Sequence, residues 1–186
     1  MTPRAGSWLS EADRIDRAVY DAIAQTRTPR IDGVMRRIST AANYSRLSMA
    51  GAALLAVTGG ARGRRAAVSG LVSVAATSAI VNLVIKPLGR RRRPDRTNTG
   101  IESSREVPMP GSRSFPSGHA AAAVAFACGV GRQLPQARLP LEVLAALVGY
   151  SRVHTGVHYP GDVLAGALLG AAIADVSSGV IKTQDK

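Results

Sequence analysis

Three short clusters in this chain hold residue types that bind and transfer an anionic group. Lys86 is followed seven positions later by Arg93-Pro94. Pro116-Ser117-Gly118-His119 opens an alanine-rich run. Ser151-Arg152 precedes His158 and then Asp162. Each has a plain reading when taken singly. Lys86 with the Arg90–Arg93 run reads as a basic collar beside a membrane, Pro116–His119 as a turn with a helix cap, and His158 with Asp162 as a structural pair. Taken together, three cations, two histidines, one carboxylate and a helix N-terminus make an oxyanion site sized for phosphate.

The roles follow from side-chain chemistry. Ser117 is a natural N-cap, so the amides of Gly118 and His119 point at the site, where the helix dipole favours an anion. Gly118 lets the backbone approach closely. Arg93 and Arg152 offer planar two-pronged donors to phosphate oxygens, and Lys86 a compact charge. Pro160 suits the first turn of the last helix, with His158 just before it and Asp162 just inside. An aspartate accepting from one ring nitrogen of His158 leaves the other unprotonated and nucleophilic. His119 can then protonate the departing oxygen. The arginines and helix amides carry the transition-state charge, so no metal and no cofactor is expected. His119, His154 and His158 with scattered carboxylates make a poor three- or four-ligand set. His154 is read as a supporting or solvent-facing residue.

Helices must position these groups. The chain has 186 residues, room for one domain (1–186), and carries a formal charge of +12 with 46% hydrophobic residues. Its mean hydropathy is only +0.07, because the apolar residues come in blocks with arginine in the gaps. That pattern suits a small membrane protein against anionic headgroups. A pI of about 11.3 also fits a soluble nucleic-acid binder, but basic charge reports sign and not partner, and no nucleic acid is expected. The single cysteine, Cys128, excludes an intramolecular disulfide. The first thirty residues lack the apolar region of a signal peptide.

Residues 1–45 read as an amphipathic segment and 46–182 as the helical core. Leu9, Ala12, Ile15, Val19, Ala22 and Ile23 recur at helical spacing between Trp8 and Ala24, with Ser7 or Ser10 as cap. This helix is expected either in the membrane interface, with Trp8 and Tyr20 at headgroup depth, or packed on the fold. A second amphipathic piece, Ile31–Ala42, follows the break at Thr28-Pro29. Five apolar stretches come next: Leu47–Gly60, Ala66–Ile85, Ser117–Gly131, Leu139–Val153 and Val163–Ile181. Only the second has the roughly 20 clean residues of a spanning helix. Glu142 and Asp175 interrupt two others, so hydropathy alone also admits a soluble bundle. Glycine and alanine crowd the stretches, which suits close helix contacts. The expected fold is an all-α bundle of about five transmembrane helices plus amphipathic N-terminal helices. The long irregular segment Gly89–Phe115 carries the expected substrate-facing loop, Asn98–Ser114.

The eleven identities of KxxxxxxRP, PSGH and SRxxxxxHxxxD, from Lys86 to Asp162, resemble the type 2 phosphatidic acid phosphatase superfamily. That superfamily also contains bacterial acid phosphatases and vanadium haloperoxidases. The resemblance implies phosphate binding by Lys86, Arg93, Ser117, Gly118 and Arg152. It implies acid catalysis by His119, a phosphohistidine at His158 and orientation of that histidine by Asp162. The stretch VPMPGSRSFPSGHA and the Ala/Arg/Gly bias look like actinobacterial members. There, one such membrane enzyme is expected to dephosphorylate decaprenylphosphoryl-5-phosphoribose in arabinan synthesis. Phosphatidylglycerophosphate, phosphatidic acid and prenyl diphosphates are the alternative substrates. A non-catalytic lipid-binding protein of the same fold is the alternative of another class, against which the intact motif set argues. If all five stretches cross, the motif side holds the larger share of the 24 Lys and Arg residues, which places the site on the cytoplasmic face of the plasma membrane.

Overall fold

The computed structural model describes residues 5–97 and 101–184. Among the described residues, seven helices account for the fold: α1 (Ala5–Gln25), α2 (Pro29–Ala41), α3 (Arg46–Thr58), α4 (Gly60–Leu88), α5 (Gly118–Gln133), α6 (Pro135–His154) and α7 (Pro160–Gln184). The all-α reading holds, and each apolar stretch becomes one helix. α1 begins at Ala5, ahead of both expected caps; Ser10 lies within the helix, and the side chain of Ser7 lies outside those described. Pro29 and Pro160 open their helices, where a missing N–H costs nothing.

α5 is central and packs against α4, α6 and α7, while α3 lies on α4 and α2 on α6. The packing is built from small residues. Ala52, Ala66, Ala67, Ala122, Phe126 and Val130 fill the junction of α3, α4 and α5. Two glycines one turn apart set the contact that matters most for the site. A Cβ on Gly166 would collide with the Ser117 carbonyl, and one on Gly170 with the Ala121 carbonyl. Their absence lets α7 lie backbone to backbone on α5. The Ser117 N–H then donates to the Asp162 carbonyl at 2.8 Å, tying the N-termini of both helices together.

α4 is α-helical to Ala79, widens into a π-helical turn over Ile80–Ile85 and closes at Lys86–Leu88. Pro87 supplies the reason: it has no N–H, and its ring crowds the preceding turn, which the wider turn relieves. The helix stops where the Gly89 N–H bonds to Ile85 and Lys86 carbonyls, both at 3.1 Å. Lys86 thus stands at the polar end of the bundle.

Large apolar side chains face outward on the core helices, among them Leu54, Val57, Leu83, Leu164, Leu168 and Val176. Such a belt suits lipid better than water. Two helices, Gly60–Leu88 and Pro160–Ser177, are long and apolar enough to cross a bilayer by length and composition. α3, at 13 residues, is about 20 Å long and shorter than the hydrocarbon layer of ~30 Å. α6 carries Pro140 and Glu142 within it.

α1 is amphipathic as expected, but its orientation is the reverse of a core-packed helix. Trp8, Leu9, Ile15 and Val19 are exposed. The inward face is polar, with Tyr20 and Ala24 packed beneath it against Ile101, Val153 and Tyr159. Tyr20 does not share the exposed face of Trp8: it is 2% exposed, its ring edge-on to Tyr159 with centroids 5.2 Å apart.

Candidate active site

The link from α6 to α7 carries His158, which is 1% exposed. Its backbone N–H bonds to the Arg152 carbonyl at 3.2 Å, so the end of α6 sets the course of the link. The ring is held at both nitrogens. Nδ1 lies 3.4 Å from Asp162 Oδ2, and Nε2 lies 3.1 Å from Arg93 Nη1. A carboxylate only accepts and a guanidinium only donates. The proton therefore belongs on Nδ1, and Nε2 presents its lone pair. Burial, partly opposed by the hydrogen bond to Asp162, pushes His158 down to about 4, so the ring is neutral near neutral pH.

Asp162 is fully buried and heavily subscribed. Its Oδ2 accepts from Ser114 Oγ at 2.5 Å and from the Tyr159 N–H at 3.0 Å. Its Oδ1 accepts from Arg91 Nη1 at 3.0 Å. Arg91 also reaches Asp13 at 2.9 Å and Asp16 at 2.7 Å on α1, and its guanidinium lies 4.2 Å over the Tyr159 ring. Asp16 in turn accepts from the Gly161 N–H at 2.6 Å. The polar face of α1 is thereby joined to the first turn of α7.

Arg93 donates to the Ser112 carbonyl at 2.8 Å and the Val157 carbonyl at 2.6 Å. Ser112 Oγ bridges it to Lys86, with separations of 3.2 and 3.3 Å. Arg152, 1% exposed, donates to Ser39 Oγ at 2.6 Å, and its buried Nε has no partner among the described residues. Ser117 caps α5, its Oγ accepting from the Ala120 N–H at 3.4 Å. His119, one residue into that helix, is half-buried and lies within electrostatic reach of Arg152, His158, Lys86 and Arg93. Its Nε2 stands 3.0 Å from Asn43 Oδ1. All eight candidate residues (Lys86, Arg93, Ser117, Gly118, His119, Arg152, His158 and Asp162) meet at one end of the bundle.

Sequence reasoning missed the supporting cast: Arg91, Ser112, Ser114, Ser39, Asn43 and the α1 carboxylates. The run Arg90–Arg93 carried a signal, but not which member would point inward. His154 is a supporting residue and not a solvent-facing one, since it is buried with Nε2 2.9 Å from Asp32. The expected substrate loop needs correction. Residues 98–100 lie outside the described residues. Ser112 and Ser114 do meet the site, but Arg105 is 1% exposed and anchored under the α1–α2 turn. It pairs with Asp32 at 3.0 Å and donates to the Thr26 carbonyl. Burial of a guanidinium needs several acceptors at once, and the turn backbone supplies them.

The sequence profile of the PAP2 superfamily matches residues 67–185. Decaprenylphosphoryl-5-phosphoribose phosphatase of Mycobacterium tuberculosis is 39% identical over 101 residues, 54% of this chain and 53% of that protein. The chain thus spans about half the length of this curated relative. A transmembrane PAP2 type phosphatidylglycerolphosphate phosphatase from Bacillus subtilis has a TM-score of 0.69 and 26% identity, over 93% of this chain and 87% of that one. Aquifex aeolicus LpxE has the same TM-score over 89% of this chain and 95% of that one; at 24% identity, it speaks to the fold alone. The resemblance carried by the three motifs is sustained over the helices that hold them, and the chain belongs to the PAP2 superfamily.

Proposed function

We propose that this protein is a membrane lipid phosphatase that hydrolyses a phosphomonoester through a phosphohistidine at His158. The observation that carries the reading is the clamped imidazole, with Nδ1 toward Asp162 and Nε2 toward Arg93. A phosphate drawn in by Arg93, Lys86, Arg152 and the amides at Gly118 and His119 takes the place of the Arg93–Nε2 contact. Nε2 attacks phosphorus, the P–N bond forms, and the P–O bond to the alcohol breaks as that oxygen takes the proton of His119. Water then attacks the phosphohistidine and returns its proton to His119. The P–N bond breaks, releasing inorganic phosphate and restoring His158. Asp162 holds the ring and stabilises the charge it gains. The cations and helix dipole stabilise the equatorial oxygens.

The mycobacterial relative supports decaprenylphosphoryl-5-phosphoribose as substrate. The Bacillus fold neighbour supports phosphatidylglycerophosphate as a second reading. The basic residues on the motif side support a cytoplasmic site at the plasma membrane. Phosphate release from both lipids, in detergent with EDTA, tests the activity. Turnover by the wild type with none by His158→Ala is the expected result. Equal inactivity of the two proteins on all lipid phosphates would sink the reading. Labelling of single cysteines near Arg105 from outside intact cells would overturn the cytoplasmic assignment.

A further inference from the structure

A cavity of about 240 Å³ opens beside His119, between α4, α5 and the turn at Asn43–Ser45. His119, Gly118 and Lys86 form its site-facing wall, while Ser45, Ser78 and Asn82 line it with hydroxyl and amide groups. We propose that this cavity receives the departing alcohol, and that Asn82, aided by Ser78, selects an alcohol bearing a hydroxyl near the phosphate, such as a sugar or glycerol. The inference rests on the phosphohistidine reading at one point. An in-line displacement at phosphorus puts the leaving oxygen opposite His158 and beside the proton donor, so the alcohol lies on the side of His119.

The orientation of Asn82 is legible. Its Nδ2 donates to the Ser78 carbonyl at 2.9 Å, and a carbonyl can only accept, so the amide is assigned without ambiguity. Oδ1 is left pointing toward α5. It stands 3.9 Å from where a Cβ on Gly118 would lie, and Lys86 Nζ stands 3.5 Å from the same point. Lys86 and Asn82 thus flank the N-terminus of α5, one as a cation for phosphate and the other as an acceptor beside it. Asn82 belongs to the π-helical turn of α4 and is followed by the outward-facing Leu83 and Val84. Asn82 lies one turn before Lys86, so its side chain borders the cavity at the polar end of the helix. The cavity is smaller than the ~300 Å³ at which sites for whole small ligands begin. It fits the part of the alcohol next to phosphorus, and the acyl or prenyl chain lies outside it. A diacylglycerol offers only an ester at that position, with no hydroxyl for Asn82 Oδ1 to accept from.

The test is a matched pair of substrates: phosphatidylglycerophosphate and its analogue lacking the glycerol 2-hydroxyl. The wild type should favour the hydroxylated lipid in kcat/KM, and Asn82→Leu should reduce that preference about tenfold, the worth of one hydrogen bond of ~1.4 kcal/mol. Ser78→Ala should shift the ratio the same way by less, and it keeps the test alive if Asn82→Leu proves poorly folded by circular dichroism. A wild type indifferent to the hydroxyl, or variants that lose both substrates equally, would overturn the subsite while leaving the phosphatase reading intact. Failure of the wild type to release phosphate from either lipid, or from a prenylphosphoryl phosphoribose, would remove both.

Discussion

The two histidines of the site live in unlike surroundings. His158 is sealed in the α6–α7 link, with both ring nitrogens held, and the carboxylate behind it is itself fixed by Ser114, Arg91 and a backbone N–H. His119 lines an open cavity, with Nε2 at hydrogen-bond distance from Asn43 Oδ1. That asparagine precedes two residues in the left-handed region, Tyr44 and Ser45, both at φ 55°. Neither is a glycine, so this turn is held in a sparsely populated backbone conformation. The difference has a chemical sense. A nucleophile must offer one lone pair along one line whatever alcohol is attached. An acid must meet a leaving oxygen whose position changes with the alcohol. The wall of His158 is fixed from every side, and the wall of His119 borders open space.

Substitutions should separate the two walls by size and by kind of effect. His158→Ala should lose about 10⁵-fold in kcat on every substrate and form no phosphoenzyme, in line with removal of a covalent nucleophile. His119→Ala should lose about 10³-fold in the rate of phosphoenzyme formation on lipid phosphates but far less on an aryl phosphate, whose leaving group needs no proton. Equal losses on both classes would contradict the assignment of His119 as acid. Arg91→Ala should lower kcat about tenfold by freeing one oxygen of Asp162, and it should also raise amide exchange in α1. A kinetic defect with α1 unchanged would uncouple the helix from the site. Asn43→Ala should cost about fivefold, the scale of one neutral hydrogen bond, and only where His119 matters, so the aryl phosphate should barely register it.

The pH profile sharpens the same contrast. Burial depresses His158 to about 4, and the neutral ring is the reactive form, so phosphoenzyme formation should persist on acidification and fall as pH drops through about 4. Asp162 opposes that depression, so in Asp162→Asn the acid limb should move lower still while the plateau drops. The second ionisation of the substrate, near 6, produces its own limb. It is told apart because it changes with the substrate and not with the variant.

Much of this was legible in the sequence, for local reasons. Helix α4 announces itself by an apolar run and its end by Pro87 and Gly89. α5 is opened by a serine cap, and α7 by a proline at its first turn. These are rules of neighbouring residues, so the eight candidate residues and the order of the helices could be read without a fold. Close helix contacts were hinted at by the crowding of glycine and alanine in the apolar stretches, since small residues mark where backbones touch.

Other features depend on partners far apart in the chain. Nothing in Arg90-Arg91-Arg92-Arg93 says that the second meets Asp162, 71 positions away, and Asp13, 78 positions away. That pairing exists only once α1 lies across the start of α7. Periodicity showed that α1 has an apolar face, yet not that this face turns outward while Asp13 and Asp16 turn in. A helical moment fixes the angle between faces and says nothing of which one meets the fold. Arg105 looked like a loop charge until the α1–α2 turn closed over it. The sequence by itself determined the helices and the candidate site residues, because spacing and caps are local physics. The tertiary structure alone decided which side chains hold those groups still, because that depends on which surfaces come into contact.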